Sequence, residues 1–319
     1  AYFCNRQCRH RKINKGESEM QKNSVYRNSI AKFVLVMAAI SVPASIALPA
    51  LSMAASSTEL GKMLPDDIQA AGEITVASDT NFPPYEYVPS GSNTPIGLDV
   101  DIANALGKAL GVQVRFISTA FDGIIPALQA GRYNIGISAI NDTVEREGAV
   151  DMVNYMVNPG SSATVLAGNP KKIHNEQDLC GKTISVLSGT TQEKELQKNK
   201  KKCEGDGAQP IKILPFPEAS STYLALQSGQ SDAVVTGGIA AVYQVQQSKG
   251  AMEAVELRAT GHLTSIAVAK GNDKLVAALK SALDQMRQDG SYAAILEKWG
   301  SSKYALKEFS VNAAGSAAK

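Results

Sequence analysis

The chain has 319 residues, 44% of them apolar and 19% charged, which is enough for two packed domains and excludes a disordered, low-complexity chain. Eight of its 32 basic residues but only two of its 30 acidic ones lie in the first 54 positions, leaving 24 basic against 28 acidic beyond them. The basic excess belongs to the leader, and nothing after it builds the basic face that nucleic acid requires.

The leader, residues 1–54, runs from a basic stretch ending at Lys32 through an uncharged apolar run from Phe33 to Leu51. Small residues Ser52-Met53-Ala54-Ala55-Ser56 follow. This order predicts a Sec-type signal peptide cut near Ala54 and a periplasmic destination. The alternative is a retained membrane anchor, since the run nearly spans a bilayer, but Pro43 and Pro49 interrupt it. No Cys stands at the cut, so the acylated-lipoprotein route is closed. Met20 begins a more ordinary leader, with residues 1–19, including Cys4 and Cys8, as an upstream extension.

From Glu73 onward, short β-rich runs alternate with helical periods, which predicts an α/β chain with largely parallel sheets. Ile74–Ala77 reads as the first strand. Ile102, Ala105, Leu106, Ala109 and Leu110 then share one helical face, ended by Gly111. Val112, Val114 and Phe116 alternate as a strand, Ile124–Ala130 reads as a short helix, and Asn134–Ser138 as the next strand. A second series follows: strand Thr183–Val186, helix from Thr191, strand Ile211–Leu214, helix Ser220–Gln227, strand Asp232–Val235 and helix Ile239–Gln247. Strand Ile266–Ala269 comes next, then an amphipathic helix carrying Leu275, Leu279, Leu283 and Met286, and a shorter one to Trp299. The Ala/Gly/Ser-rich tail from Val311 is expected to fray.

Arg146 falls in the first turn of a helix capped by Thr143. A cation there opposes the helix dipole unless it and the free N–H groups jointly hold an anion. The plainer reading is a surface ion pair with Glu145 or Glu147. Thr190 with Glu193 fits a capping box at a second strand-to-helix turn, where Thr191 opens the helix. Two such turns, one in each half, match where open α/β sheets bind ligands. Aromatic residues cluster at Phe82-Pro83-Pro84-Tyr85-Glu86-Tyr87, and Phe121 precedes Asp122-Gly123. These rings serve equally as core plugs or ligand walls, and Asp79 as a turn cap or a partner for a ligand cation. Cys180 and Cys203, two thiols beyond the leader, suggest a disulfide, with a metal site as the alternative. The nucleophile-elbow, zinc-protease, dinucleotide and phosphate-loop motifs are all missing; Gly181-Lys182-Thr183 has a phosphate-loop tail, but Glu176 stands where the leading Gly belongs. No acid/base pair suggests itself, and no cofactor or metal is expected.

Over roughly 70–305 the chain resembles the family 3 extracellular solute-binding proteins of polar amino-acid ABC importers. The markers are DTNFPPYEY at 79–87, GLDVDIANALGKALG at 97–111, FDGIIPALQAGRYNIGIS at 121–138, TVERE at 143–147, GKTISVLSGTTQE at 181–193 and the segment 267–300. The resemblance implies a type II periplasmic binding protein with two α/β lobes, each a mostly parallel sheet flanked by helices, joined by two hinge strands. Lobe 1 would comprise 60–160 plus 262–319, and lobe 2 would comprise 161–261. It implies that Arg146 grips a ligand carboxylate beside Ser138, Ala139 and Asn141, with Thr190 and Thr191 facing it from the other lobe. Phe82 and Phe121 would sandwich the ligand side chain, and Asp79 would face its far end.

Family members usually carry an Asp for the ligand ammonium where this chain has Gly237, and no Asp or Glu occurs from Ala233 through Lys249. Ala139 likewise stands where a hydroxyl is common. The expected partners are a small carboxylate-bearing solute, an amino acid or derivative, and an inner-membrane ABC permease; the missing acid points away from an ordinary free L-α-amino acid unless Asp79 supplies the charge. The chain is expected to be a monomer without enzymatic activity. The alternative is a periplasmic dehydratase on the same fold.

Overall fold

The computed structural model describes residues 59–314; the leader expectations, from the cut near Ala54 to Cys4 and Cys8, lie outside them. In chain order the first half contains α1 (Asp66–Ala71), β1 (Glu73–Ser78), the hairpin β2 (Asn81–Phe82) and β3 (Glu86–Tyr87), and α2 (Leu98–Leu110). It continues with β4 (Gln113–Ser118), α3 (Ile124–Gln129), β5 (Ile135–Asn141), α4 (Val144–Glu147) and β6 (Val150–Val157). The second half has β7 (Ser161–Leu166), β8 (Thr183–Leu187), α5 (Thr191–Gly205), β9 (Lys212–Phe216), α6 (Ala219–Gln227), β10 (Ala233–Gly237), α7 (Gly238–Gln247) and β11 (Met252–Arg258). The chain then returns through β12 (Leu263–Ala269) to α8 (Asp273–Gln288) and α9 (Ser291–Lys298).

Two five-stranded sheets result, ordered β4-β1-β5-β12-β6 and β11-β7-β10-β8-β9. Each is mixed. In the first, β1 runs parallel to β4 and β5, while β12 is antiparallel to β5 and β6. In the second, β8 runs parallel to β9 and β10, while β7 is antiparallel to β10 and β11. The reversed strands are β12 and β7; β6, β7 and β11, which complete those sides, were not revealed by the sequence patterns. β6 is buried along nearly its whole length, so no alternation marks it. β11 is an edge strand whose Glu253, Glu256 and Arg258 point to solvent and read as loop.

The predicted helical faces are the ones that bury. Leu275, Leu279, Leu283 and Met286 of α8 pack with Ile102, Leu106 and Leu110 of α2 in the larger core, which covers the first sheet. The second sheet closes over a smaller core of Val165, Ile184, Val186, Leu196 and Ile211. That smaller core is stapled by the Cys180–Cys203 disulfide, with Cα atoms 5.8 Å apart and a sequence separation of 23. The chain crosses between the sheets at 158–160 and at 259–262. The crossings lie side by side, with Asn158 N–H donating to the His262 carbonyl at 3.0 Å.

The tail differs from expectation. Val311 bridges to Val153, Asn312 N–H donates to the Met152 carbonyl at 2.9 Å, and Asn312 Oδ1 accepts from Met152 N–H at 2.8 Å. Ala313 N–H donates to Asp142 at 2.9 Å and Ala314 N–H to Glu147 at 2.8 Å. Val311 and Asn312 pair with β6 and the two alanines reach the α4 turn, so residues 311–314 are a strap, while the rest of the tail lies outside the described residues. No helix among the described residues is long and apolar enough to cross a membrane.

Candidate ligand-binding cleft

The strand ends of both sheets face one cavity, with about 460 Å³ of space including its open mouth, within the range of small-molecule sites. From the first lobe it is lined by Phe82, Tyr85, Phe121, Ser138, Ala139, Asn141 and Arg146, and by Asn158 at the crossing. Leu187, Thr190, Thr191, Gln192, Val235, Thr236 and Gly237 line it from the second. Nine of the ten expected site residues are therefore brought together. The exception is Asp79, which is buried at the end of β1 outside the cavity lining.

Arg146 is held by the turn that was expected to present it. Thr143 Oγ1 caps α4 by accepting from Arg146 N–H at 3.2 Å. The guanidinium is buried; it donates from Nη1 to the Asn141 carbonyl at 2.8 Å and lies 5.5 Å from the centre of the Phe121 ring. From Nη2 it reaches the Gly189 carbonyl of the opposite lobe at 3.1 Å. Neither neighbouring acid pairs with it: Glu145 reaches Lys194 across the lobes at 2.5 Å, and Glu147 accepts from Ala314. Burial lowers the Arg146 pKa to about 10, which leaves it cationic at neutral pH. A buried cation without a counter-charge is costly, and an incoming carboxylate removes that cost.

Asn141 and Thr191 meet across the cleft, with Asn141 Nδ2 donating to Thr191 Oγ1 at 2.7 Å, and Asn158 Nδ2 donates to Asn141 Oδ1 at 2.7 Å. Thr190 caps α5, accepting from Glu193 N–H at 3.2 Å, while Glu193 reaches back to Gly189 N–H at 2.8 Å. Gly189 has φ of 76°, and a Cβ there would come within 2.8 Å of the Asp122 Cβ, so only glycine permits this approach of the lobes. Phe82 stacks on Tyr85 at 5.4 Å between ring centres, and both rings join the larger core to the cavity wall.

Behind the first wall lies an acidic cluster that sequence reasoning did not find. Asp99, in the first turn of α2, accepts from Tyr155 Oη at 2.5 Å and from Ala139 N–H at 2.7 Å. It thereby holds Ala139 at the strained φ of 46°. Ser138 spends its hydroxyl on Glu86 and accepts from Asp79 N–H at 3.2 Å, so it is a wall-builder rather than a free donor. Burial raises Asp99 to about 6 and pushes Glu86 well above the carboxylate range, with the nearby Asp99 charge adding to it. Asp79 is raised to about 6, first by burial and further by Glu218 and Asp122, and its Oδ2 has no hydrogen-bond partner. An acid in the first helical turn reads as dipole chemistry, so Asp99 gave no signal; Glu86, inside the aromatic cluster, was the one visible hint.

Residues 74–302 match the bacterial extracellular solute-binding proteins, family 3. Among curated proteins, the chain is 30% identical over 235 residues to the putative ABC transporter arginine-binding protein 2 of Escherichia coli (strain K12), covering 72% of this chain and 91% of the relative. Among solved structures, it is similar to an ancestral arginine-binding protein bound to arginine, with a TM-score of 0.66 and 35% identity over 72% of this chain and 98% of that one. It is also similar to the ancestral amino acid-binding protein AncCDT-1, a precursor of cyclohexadienyl dehydratase, with a TM-score of 0.65 and 31% identity over 73% of this chain and 98% of that one. The chain belongs to family 3 of the bacterial extracellular solute-binding proteins.

Proposed function

We propose that this protein is the exported solute-binding component of an ABC importer. It closes its two lobes on a small carboxylate-bearing solute, an amino acid or a derivative of one, and offers the closed surface to a membrane permease. The observation that carries this reading is the buried guanidinium of Arg146, which lines the cavity and forms an ion pair with no carboxylate among the described residues. In this reading lobe 1 comprises 60–160 plus 262–319 and lobe 2 comprises 161–261. The crossings at 158–160 and 259–262 act as hinges, which absorb rotation while each sheet moves as a rigid body. Phe82 and Phe121 flank the solute, Asn141, Thr190 and Thr191 close around its carboxylate, and Asp79 sits beyond its far end. The chain acts as a monomer in the periplasm after a cut near Ala54.

A dehydratase on this fold would need a group able to move a proton at the substrate. The residues lining the cavity include no carboxyl, imidazole, thiol or amine, which favours binding without turnover. Mass spectrometry of small molecules released from freshly purified, denatured protein tests the proposal. A carboxylate that rebinds to wild type but not to Arg146→Ala is the expected result. A released solute without a carboxylate, or one indifferent to Arg146, overturns it.

A further inference from the structure

The cavity carries one formal charge, the Arg146 cation, and none of its lining residues is an acid. The acids behind the lining are committed there: Glu86 accepts from Ser138, Asp99 from Ala139 N–H and Glu195 from Ser161 at 3.0 Å, while Asp79 lies outside the lining. Two helices also begin at this cavity, α5 at Thr191 and α7 directly after Gly237, and both point the positive pole of their dipole toward it. Gly237 caps α7 with no side chain, and a Cβ built on it meets nothing within 4 Å. The wall around Gly237 thus carries no acid and leaves open space where a side chain would stand. A free ammonium next to the carboxylate would be buried there without a counter-charge.

Resting on the binding-protein reading above, we propose that the solute is an N-acylated α-amino acid, whose nitrogen is a neutral amide. Its carboxylate occupies the Arg146 side. Its acyl oxygen is the acceptor that the two helix N-terminal poles favour, and the acyl group fills the recess beside Gly237. The polar side chains of Asn141, Asn158, Thr191, Gln192 and Thr236 are all neutral, the first four bonded into one network, so the lining suits an uncharged amide better than an ammonium. A 2-oxo or 2-hydroxy acid meets the charge condition but leaves the recess empty.

The test is isothermal titration calorimetry of the mature protein with paired free and Nα-acetyl forms of arginine, histidine, glutamine and leucine, alongside the matching 2-oxo acids. At least one acetyl form binds about a hundredfold or more tighter than its free partner. Gly237→Asp, which restores an acid at an unstrained position, reverses that order. Equal or tighter binding of the free form overturns the inference, and if it also vanishes in Arg146→Ala the binding-protein reading stands without it. Tighter binding of a 2-oxo acid, or of no acetyl form at all, overturns it too. Should Gly237→Asp fail to fold, the wild-type pairs alone decide.

Discussion

The turn after β5 and the turn after β10 are built on one plan, a strand end running into a helix start at the same cavity, yet they are filled in opposite ways. The first carries a buried cation, a Thr cap and a backing of acids, and the C-terminal strap ties its Asp142 and Glu147 down. The second ends in Gly237, uncapped, with open space where a side chain would stand. Backbone topology therefore sets where the cavity lies, and side chains set the charge that each turn presents to it. The support differs too. Lobe 1 relies on the larger apolar core and the strap, lobe 2 on a smaller core and a disulfide.

The largest test of this contrast is Arg146→Ala. Carboxylate affinity should fall by about three decades or more in calorimetry, as for removal of one partner of a buried charge pair. The melting temperature of the solute-free protein should hold or rise, because an uncompensated buried cation is gone. A loss within tenfold would mean that the first wall does not read charge.

Cys180→Ser with Cys203→Ser comes next. Opening a loop of that length should cost about 3 kcal/mol in urea unfolding, with solute affinity nearly unchanged, since the staple lies away from the cavity. Affinity falling in step with stability would show that lobe 2 needs its staple to shape the site.

Asp79→Asn probes the acids behind the first wall. The folded pKa of Asp79 is raised to about 6 from 3.8, so the fold favours its protonated form. That stability is fully present below pH 3.8 and is lost as pH rises through about 6. At pH 7.5 the neutral isostere should therefore stabilise by up to about 3 kcal/mol, and thermal melts between pH 4 and 7 should show a shallower fall than wild type. An unchanged profile would assign the pH dependence to Glu86 and Asp99 instead.

Asn312→Ala removes side-chain bonds to Met152 N–H and Asp151 and should cost about 1 kcal/mol, with a less than tenfold loss of affinity passed through the strapped anchor turn. The smallest effect belongs to Lys194→Ala, which breaks the exposed bridge to Glu145 between the lobes. Affinity should change by less than about threefold, and less again at high salt. A larger change would promote that bridge from rim decoration to latch.

Much of this was legible in the residues. Ile102, Leu106 and Leu110 repeat at helical spacing because burial against a sheet demands it, and the Thr143 and Thr190 caps announce two helix starts. Strands without alternation escaped notice, as β6 did, because a run buried on both faces carries no period. The acidic cluster escaped for a different reason. Glu86, Asp99 and Tyr155 are far apart in the chain and become a unit only when α2, β3 and β6 pack together.

By itself the sequence determined the α/β alternation, the two strand-to-helix turns and the candidate cation Arg146, because periodicity, capping and residue chemistry are local; the missing acid at Gly237 showed only against the family resemblance. Whether Arg146 was a surface ion pair or a buried cation was decided by tertiary structure alone. Glu145 was drawn to Lys194 of the other lobe and Glu147 to the strap, and both partners lie too far along the chain for any local pattern to reveal. Burial then turned an ordinary guanidinium into a charge without an ion-pair partner, the feature on which the proposed carboxylate site rests.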